Sequence, residues 1–528
     1  MFHIRRLGFV FLCVCGLTKG LTVHAETADY VDFAIEAEGF GRVQNITDGN
    51  RSTYSSCTEN GSIIVSGEDG IAGFYVEFDR VPTEWVLTNN ATGESVICGQ
   101  YSFLHEYVNV EELLGECPES LTLEFDAGTV MADIYVLGPG ELPDLVQTWE
   151  PPCEQADLLL LTSHSDDEQL FFSGVLPYYA GERKLDVQVA YVVQHFEANG
   201  VQNHQRPHEL LDGLWTVGVK YYPIMSEFPD LYAESKNREV AFSQATKVYE
   251  SVGIAYTDFL SYIIECLRRC KPLVVVSHDL DGEYGHGTHV VCAQAITEAI
   301  VLAADEAQFP DSYERYGAWP VEKLYLHLYE ENPIVMNWDV PLDSFGGKTA
   351  FEVSQDGFAC HKSQHWTWFY KWMYGTAERP VKKATDIRSY SPCNYGLYYT
   401  AVGNDVVGGD FFENVVSYEE RRLIAEKEAE EERLAQLEAE RLAKEAEEKA
   451  AEEARKKAEE EARIKQEEAR KAAQLAEEQA LAEKQMQEFA QKQEQQRKTM
   501  ILGIAATGVL VVLMILILRK KKKGTRNE

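Results

Sequence analysis

Two polar clusters in the middle of the chain have the residue types and spacing of a hydrolytic metal site. The first is His164-Ser165-Asp166-Asp167-Glu168. The second begins at His278-Asp279 and ends at Glu283-Tyr284-Gly285-His286-Gly287-Thr288-His289. Imidazole and carboxylate suit Zn²⁺, and a catalytic zinc keeps three protein ligands and one position open to water. Two adjacent aspartates can divide the work, one binding metal and the other facing the water as a base. Histidines three apart, such as His286 and His289, share a helix face, so one can bind metal while the other meets a substrate oxygen. A plainer reading of His164 to Asp167 is a helix start capped by acids. Each cluster alone suggests little; the pair argues for a site.

Both clusters follow apolar runs that read as buried strands. Leu158 to Thr162 leads into the first, and Leu273 to Ser277 leads into the second. Val187 to Val193 is a third such run, and amphipathic stretches at Glu209 to Val219 and Arg238 to Val252 lie between them. Parallel strands alternating with helices make an α/β layered domain. Ligands in such sheets collect at the carboxyl ends of the strands, which is where both clusters lie.

With those positions in hand, a family resemblance becomes visible. His164 to Glu168 resembles the HPDDE motif of the PIG-L/LmbE-like zinc de-N-acetylases, and Gly285 to His289 resembles their GHPDH motif. Arg206-Pro207-His208-Glu209 is similar to the family's Arg-x-x-Glu helix, and Cys360-His361-Lys362-Ser363-Gln364 to its late His-x-Ser-Gln motif. The likeness spans about 155–375, with the four motifs in order. It implies a Rossmann-like layered catalytic domain in which His164, Asp167 and His289 bind zinc and Asp166 is the general base for the hydrolytic water. It further implies that His286 stabilises the oxyanion or protonates the leaving amine, that Tyr284 lines the carbonyl side, and that Arg206 and His361 serve the substrate. Ser165 and Gly287 replace prolines of the motifs and Thr288 an aspartate, with no ligand or base lost. The same His/Asp/His set also suits Fe²⁺. The implied reaction is removal of an N-acetyl group from a sugar or glycoconjugate.

Other polar residues read more quietly. His195 and His278 are expected to be satisfied structural histidines. His204 and His208 either border the pocket or are solvated, and Glu168 and Glu209 support or cap. The aromatic run His365 to Tyr374 is expected to pack in the core rather than stack on sugar.

The rest of the chain supplies a setting for this domain, placed at 151–415. Residues 26–145 hold short β-type runs at sandwich-like spacing, among them Ser62 to Val65, Gly73 to Phe78 and Ala132 to Leu137. Ile46 to Tyr54 resembles the early loop of discoidin-type, galactose-binding-like sandwiches, which makes a glycan an expected partner; the other reading is a structural module packed on its neighbour. Sequons at Asn45, Asn50, Asn60 and Asn90 matter only in a glycosylating host. Cys57, Cys98 and Cys117 fall in this unit, where one bridge is plausible.

Residues 1–25 have the order of a secretory signal, with Arg5-Arg6 before an apolar run. Residues 499–518 have the length of a transmembrane helix, and the basic stretch 519–528 reads as a cytoplasmic tail. Between them, 419–498 is rich in Glu, Ala, Lys, Arg and Gln without Gly or Pro, and is expected to form one charged helical stalk about 120 Å long. The layout suits a surface protein of a Gram-positive cell. The net charge is −37, with −41 on residues 26–420 alone, which argues against a nucleic-acid partner. Two rivals share the layout: a non-enzymatic glycan-binding adhesin, against which the intact ligand set counts, and a hydrolase of a non-sugar amide.

Overall fold

The computed structural model describes residues 33–198, 201–459 and 476–497. The expected signal 1–25, the apolar stretch 499–518 and the tail 519–528 lie outside the described residues. Among the described residues no helix is long and apolar enough to cross a membrane.

The first eight strands are β1 (Ala34–Phe40), β2 (Ser55–Ser66), β3 (Gly73–Phe78), β4 (Trp85–Asn89), β5 (Ser95–Cys98), β6 (His105–Asn109), β7 (Ser120–Phe125) and β8 (Val130–Leu137). Strand β2 is long enough to serve two layers. Its start pairs with β8, which continues to β3 and β6, while its end lies between β1 and β7, which continues to β4 and β5. Alternation along the strands then turns Ile63, Val65, Leu87 and Leu123 of one layer toward Phe74, Val76, Ile134 and Val136 of the other, in one shared core. The sandwich reading holds. Strands β1 and β6 are interrupted by polar residues and β5 is only four residues long, so none stands out as a strand in the sequence. Among the described residues, Cys57, Cys98 and Cys117 form no disulfide.

The second sheet comprises β9 (Leu158–Thr162), β10 (Val187–Tyr191), β11 (Ile224–Met225), β12 (Val274–Ser277), β13 (Lys323–His327), β14 (Pro333–Val335) and β15 (Asn394–Thr400). Its order is β11-β10-β9-β12-β13-β15-β14. The five strands from β11 to β13 are parallel, β15 runs antiparallel to β13, and β14 pairs antiparallel with β15. Strand β9 has all five residues buried, as a strand covered on both faces must. The order reverses between β9 and β12, a topological switch point, and both polar clusters follow those two strands. Covering helices include α1 (Asp167–Leu170), α2 (Arg206–Thr216), α3 (Arg238–Glu250), α4 (Tyr256–Cys270), α5 (Gly287–Leu302), α6 (Ala350–Cys360) and α7 (Trp368–Tyr374). In the aromatic run Trp368 and Trp372 pack inward as expected, whereas Tyr370 is exposed and Trp366 stands 82% exposed.

Sandwich and α/β layers belong to one compact unit and meet along α2. His105 Nε2 lies 2.7 Å from His208 Nδ1, and Gln147 holds the other His105 nitrogen at 2.8 Å. Arg51, from the loop that resembles discoidin sandwiches, bridges Glu77 at 2.7 Å and Asp212 at 2.6 Å. That loop therefore serves packing, and His208 neither borders the pocket nor is solvated. Burial, and next Arg51, press His105 well below the ordinary imidazole value against the weaker pull of Gln147. Burial, and next His105 and Arg51, do the same to His208 against Asp212. Both rings stay neutral when folded but protonate below about pH 6.5 when unfolded, so acidification destabilises the fold by about 1.4 kcal/mol per pH unit per ring. Thermal melts should show Tm falling from pH 7 to 5.5, with a shallower slope in His208→Gln; equal slopes would count against this.

The second unit begins at Val415 and contains α8 (Tyr418–Glu459) and a further helix at 476–497. Arg441 Nη1 lies 3.1 Å from Glu478 Oε2, and Gln493 Nε2 donates to Glu431 Oε1 at 3.2 Å. In one straight helix, residues 441 and 478 would stand about 55 Å apart at 1.5 Å per residue. The single extended stalk is thus corrected to two antiparallel helical segments. Intrahelical pairs such as Arg433–Glu430, 2.7 Å, favour helix in each segment, but local charge patterning carries no information on whether the chain turns back.

Candidate active site

The end of β9 sets the first cluster. Asp166 sits at φ 144°, ψ −24°, a conformation that costs a non-glycine residue of order 1–3 kcal/mol. Its side chain makes no capping bond to α1, so of the acids only Glu168 serves the helix start. Asp167 turns back instead: its Oδ2 accepts the His164 backbone N–H at 2.7 Å. That oxygen also lies 3.1 Å from His164 Nδ1 and 3.3 Å from His289 Nε2, while the two ring nitrogens are 3.0 Å apart. Residues 125 apart in sequence thus close one triangle of donor atoms.

The turn after β12 fixes the third corner. Gly285 adopts φ +84°, and a Cβ there would stand 2.3 Å from the Ser235 carbonyl oxygen, so only glycine fits. Glu283, fully buried, places Oε2 at 2.8 Å from His289 Nδ1 and 2.7 Å from His278 Nδ1, and Oε1 at 2.7 Å from His327 Nδ1. A carboxylate only accepts, so His289 carries its proton on Nδ1 and presents the Nε2 lone pair to the triangle. His278 is satisfied as expected, since its Nε2 accepts the Ser163 N–H at 3.0 Å while Nδ1 donates to Glu283.

The triangle fits a metal. Tetrahedral zinc with bonds of about 2.0–2.1 Å to nitrogen or oxygen needs donors about 3.3 Å apart, close to the three edges seen. The electrostatics agree. Burial opposes charge on His164, but Asp230 and Asp167 outweigh it and hold the ring up at about 9. Burial likewise raises Asp167, yet His289 and His164 outweigh it and hold the carboxyl well below the usual range. The pocket favours positive charge where a cation would sit. His286 and His278 also have donor atoms near these residues, each within a group of three donors spanning no more than 4.8 Å.

Around the triangle, the other expected residues take distinct places. The His286 ring lies 4.7 Å from that of His164 and 4.8 Å from that of His289, with its buried Nδ1 lacking a hydrogen-bond partner. Burial, and next His164 and His289, hold it well below the ordinary value, so the ring is neutral at pH 7. Tyr284 packs on His286 at 5.4 Å, and the exposed Tyr232 packs on it at 5.6 Å. Arg206 donates to the Ser165 carbonyl at 3.3 Å and to Asp166 Oδ2 at 3.3 Å, so its first contact is the candidate base. His361 lies behind that base. It is fully buried, with Nε2 3.1 Å from Glu168 Oε1, and Glu168 Oε2 takes the Asp166 N–H at 2.8 Å. Glu209 caps another segment, accepting the Ser363 N–H at 2.9 Å.

One residue escaped sequence reasoning. Asp230 Oδ1 lies 3.3 Å from His164 Nε2, and His195, expected as a structural histidine, places Nδ1 4.0 Å from Asp230 Oδ2. Burial would raise Asp230, but His164, then His195 and Arg206, outweigh it and hold the carboxyl far below the usual range. Asp230 follows a strand of two residues, too short to leave a periodic signal.

Comparison with known proteins adds a family. Residues 159–300 match the family described as PIG-L, GlcNAc-PI de-N-acetylase. A 1D-myo-inositol 2-acetamido-2-deoxy-alpha-D-glucopyranoside deacetylase of Rhodococcus jostii is 28% identical over 200 residues, 35% of this chain and 66% of that protein. A second protein of that description, deacetylase 2 of Saccharopolyspora erythraea, is 38% identical over 181 residues, 32% of this chain and 63% of that protein. The chain spans just under two thirds of the length of both relatives. Among solved structures, the N,N'-diacetylchitobiose deacetylase of Pyrococcus horikoshii aligns at 14% identity over 40% of this chain and 71% of that one, with a TM-score of 0.29 that is too low to bear on the fold. Over residues 159–300 the chain is thus similar to the PIG-L family, and it is similar to proteins named as deacetylases.

Proposed function

We propose that the α/β domain is a zinc-dependent hydrolase that removes an N-acetyl group from an N-acetylated sugar or glycoconjugate. The observation that carries this reading is the triangle of His164 Nδ1, Asp167 Oδ2 and His289 Nε2, flanked by Asp166 and His286. Zinc, when bound there, would lower the pKa of water to about 7 and polarise the amide carbonyl. Fe²⁺ suits the same donors.

The chain's own groups account for the proton movements. Asp166 takes a proton from the attacking water as the bond to the acetyl carbon forms. The same carboxyl returns that proton to the sugar nitrogen as the C–N bond breaks, leaving an amine and acetate. His286, neutral and with a buried nitrogen free to donate, stabilises the developing oxyanion. Arg206 keeps Asp166 aimed for the first transfer. Tyr284 and the exposed Tyr232 would border the sugar. The reading extends to placement: an exported body, held at a membrane by 499–518 and carried on the helical unit.

Metal content of the purified full-length protein tests this. About one zinc or iron per chain is expected, lost in Asp167→Ala, with acetate released from an N-acetylglucosaminyl glycoconjugate by the wild type alone. Wild-type protein that takes up no metal when zinc is supplied would overturn the reading.

A further inference from the structure

We infer that the β-sandwich is a working part of the catalytic centre: it sets helix α2 from outside, and through α2 it holds Arg206 against the candidate base Asp166. The inference rests on the function proposed above only in giving Asp166 that role.

Helix α2 has two occupied faces. Arg206, Glu209 and Gly213, at spacings of three and four, turn toward the site. Arg206 reaches Ser165 and Asp166, Glu209 holds Ser363, and Gly213 leaves room for His361, whose Nε2 would stand 2.8 Å from a Cβ there. His208, Leu211 and Asp212 turn the other way. His208 meets His105, Leu211 packs with Phe103 and Leu104, and Asp212 takes Arg51 at 2.6 Å and the Gln147 amide at 2.7 Å. Just before the helix, Gln202 and His204 both bind Asp79 of the sandwich, and the His204 ring stacks on Tyr54 at 4.7 Å.

The helix start is anchored locally by Asn203, whose Oδ1 accepts the N–H of Gln205 at 3.2 Å and of Arg206 at 3.1 Å, while Gln205 at the N-cap makes no side-chain capping bond. The sandwich adds fixed points along the outer face of the helix and just before it. The Arg206–Asp166 contact, at 3.3 Å, is long for a charge-assisted hydrogen bond, so it has little slack before it opens. Asp166 itself occupies a backbone conformation that persists only when its surroundings over-determine it, and Arg206 supplies part of that restraint through the Ser165 carbonyl. A displacement of about 1 Å in a group that positions the reaction can cost about 10²-fold in rate. Arg51 and Asp212 are thus positioning residues, distant from the substrate but in series with the base.

The test uses the full-length, zinc-loaded protein carrying Arg51→Ala, Arg51→Lys or Asp212→Asn. Arg51→Ala should lower kcat by about 10- to 100-fold, with KM and metal content unchanged, and Arg51→Lys should restore most of it. Asp212→Asn keeps the side-chain volume and an oxygen for Gln147, so it serves if Arg51→Ala does not fold. Amide hydrogen exchange over 163–172 should quicken in the same variants, a readout that needs no turnover. Unchanged kcat in a folded variant of an active protein overturns the inference. If the wild type hydrolyses no N-acetylated substrate, the proposed reaction fails, and exchange alone decides whether the sandwich holds the loop: unchanged protection over 163–172 overturns it.

Discussion

The Asp166→Asn protein is expected to bind its metal at wild-type stoichiometry and to hydrolyse amide about 10²- to 10⁴-fold more slowly, the contribution of a positioned general base. Asparagine keeps an oxygen for Arg206, whose Nη2 lies 3.3 Å from Asp166 Oδ2. It is also isosteric with aspartate and meets the same backbone demand at φ 144°, so the loop should survive. What it cannot do is take a proton. The three donor atoms of the triangle belong to His164, Asp167 and His289, so metal content should not follow activity down. Single-turnover kinetics beside elemental analysis separate the two. A wild-type rate would move the base elsewhere, and loss of metal would place Asp166 among the ligands.

Glu283→Gln should have an effect of comparable size by another route. The Glu283 carboxylate serves His278, His289 and His327 at once, with Asp279 N–H at 3.1 Å as a fourth donor. A glutamine has one oxygen and one NH₂ for those places. If the amide nitrogen faces His289, that ring must shift its proton to Nε2 and withdraw the lone pair from the triangle. If it faces His327 and Asp279, donors meet donors in a fully buried space. Removing one partner from a buried charged network costs about 3–5 kcal/mol, and outer partners of ligating histidines typically carry 10- to 100-fold in metal affinity. We therefore expect a Tm lower by several degrees and zinc held at least tenfold more weakly, read by melting and by competition with a chelator. Unaltered zinc affinity would show that His289 does not depend on Glu283 for its tautomer.

The chain's local patterns determined a good deal. The apolar run Leu158–Thr162 is a strand with those bounds, and Arg238 to Val252 is a helix to within two residues. The clusters at His164 and His289 pointed to a candidate metal site because imidazoles and carboxylates at two strand ends suit a cation, and the structure brings His164, Asp167 and His289 into one triangle. Such signals are legible because hydrophobic periodicity and motif spacing are properties of a few consecutive residues.

What only the tertiary structure decided lies between distant segments. The strand order sets β9 beside β12 and so closes the triangle. Asp230 reaches His164 from beyond a two-residue strand, and Glu283 gathers histidines from three places in the chain. Arg51 crosses from the sandwich to α2, a contact that no pattern within its loop records. The helical segments turn back where charge patterning suggested a straight rod. In each case the deciding energy is a contact between residues far apart in sequence, and no local pattern records which distant partner the fold will bring to it.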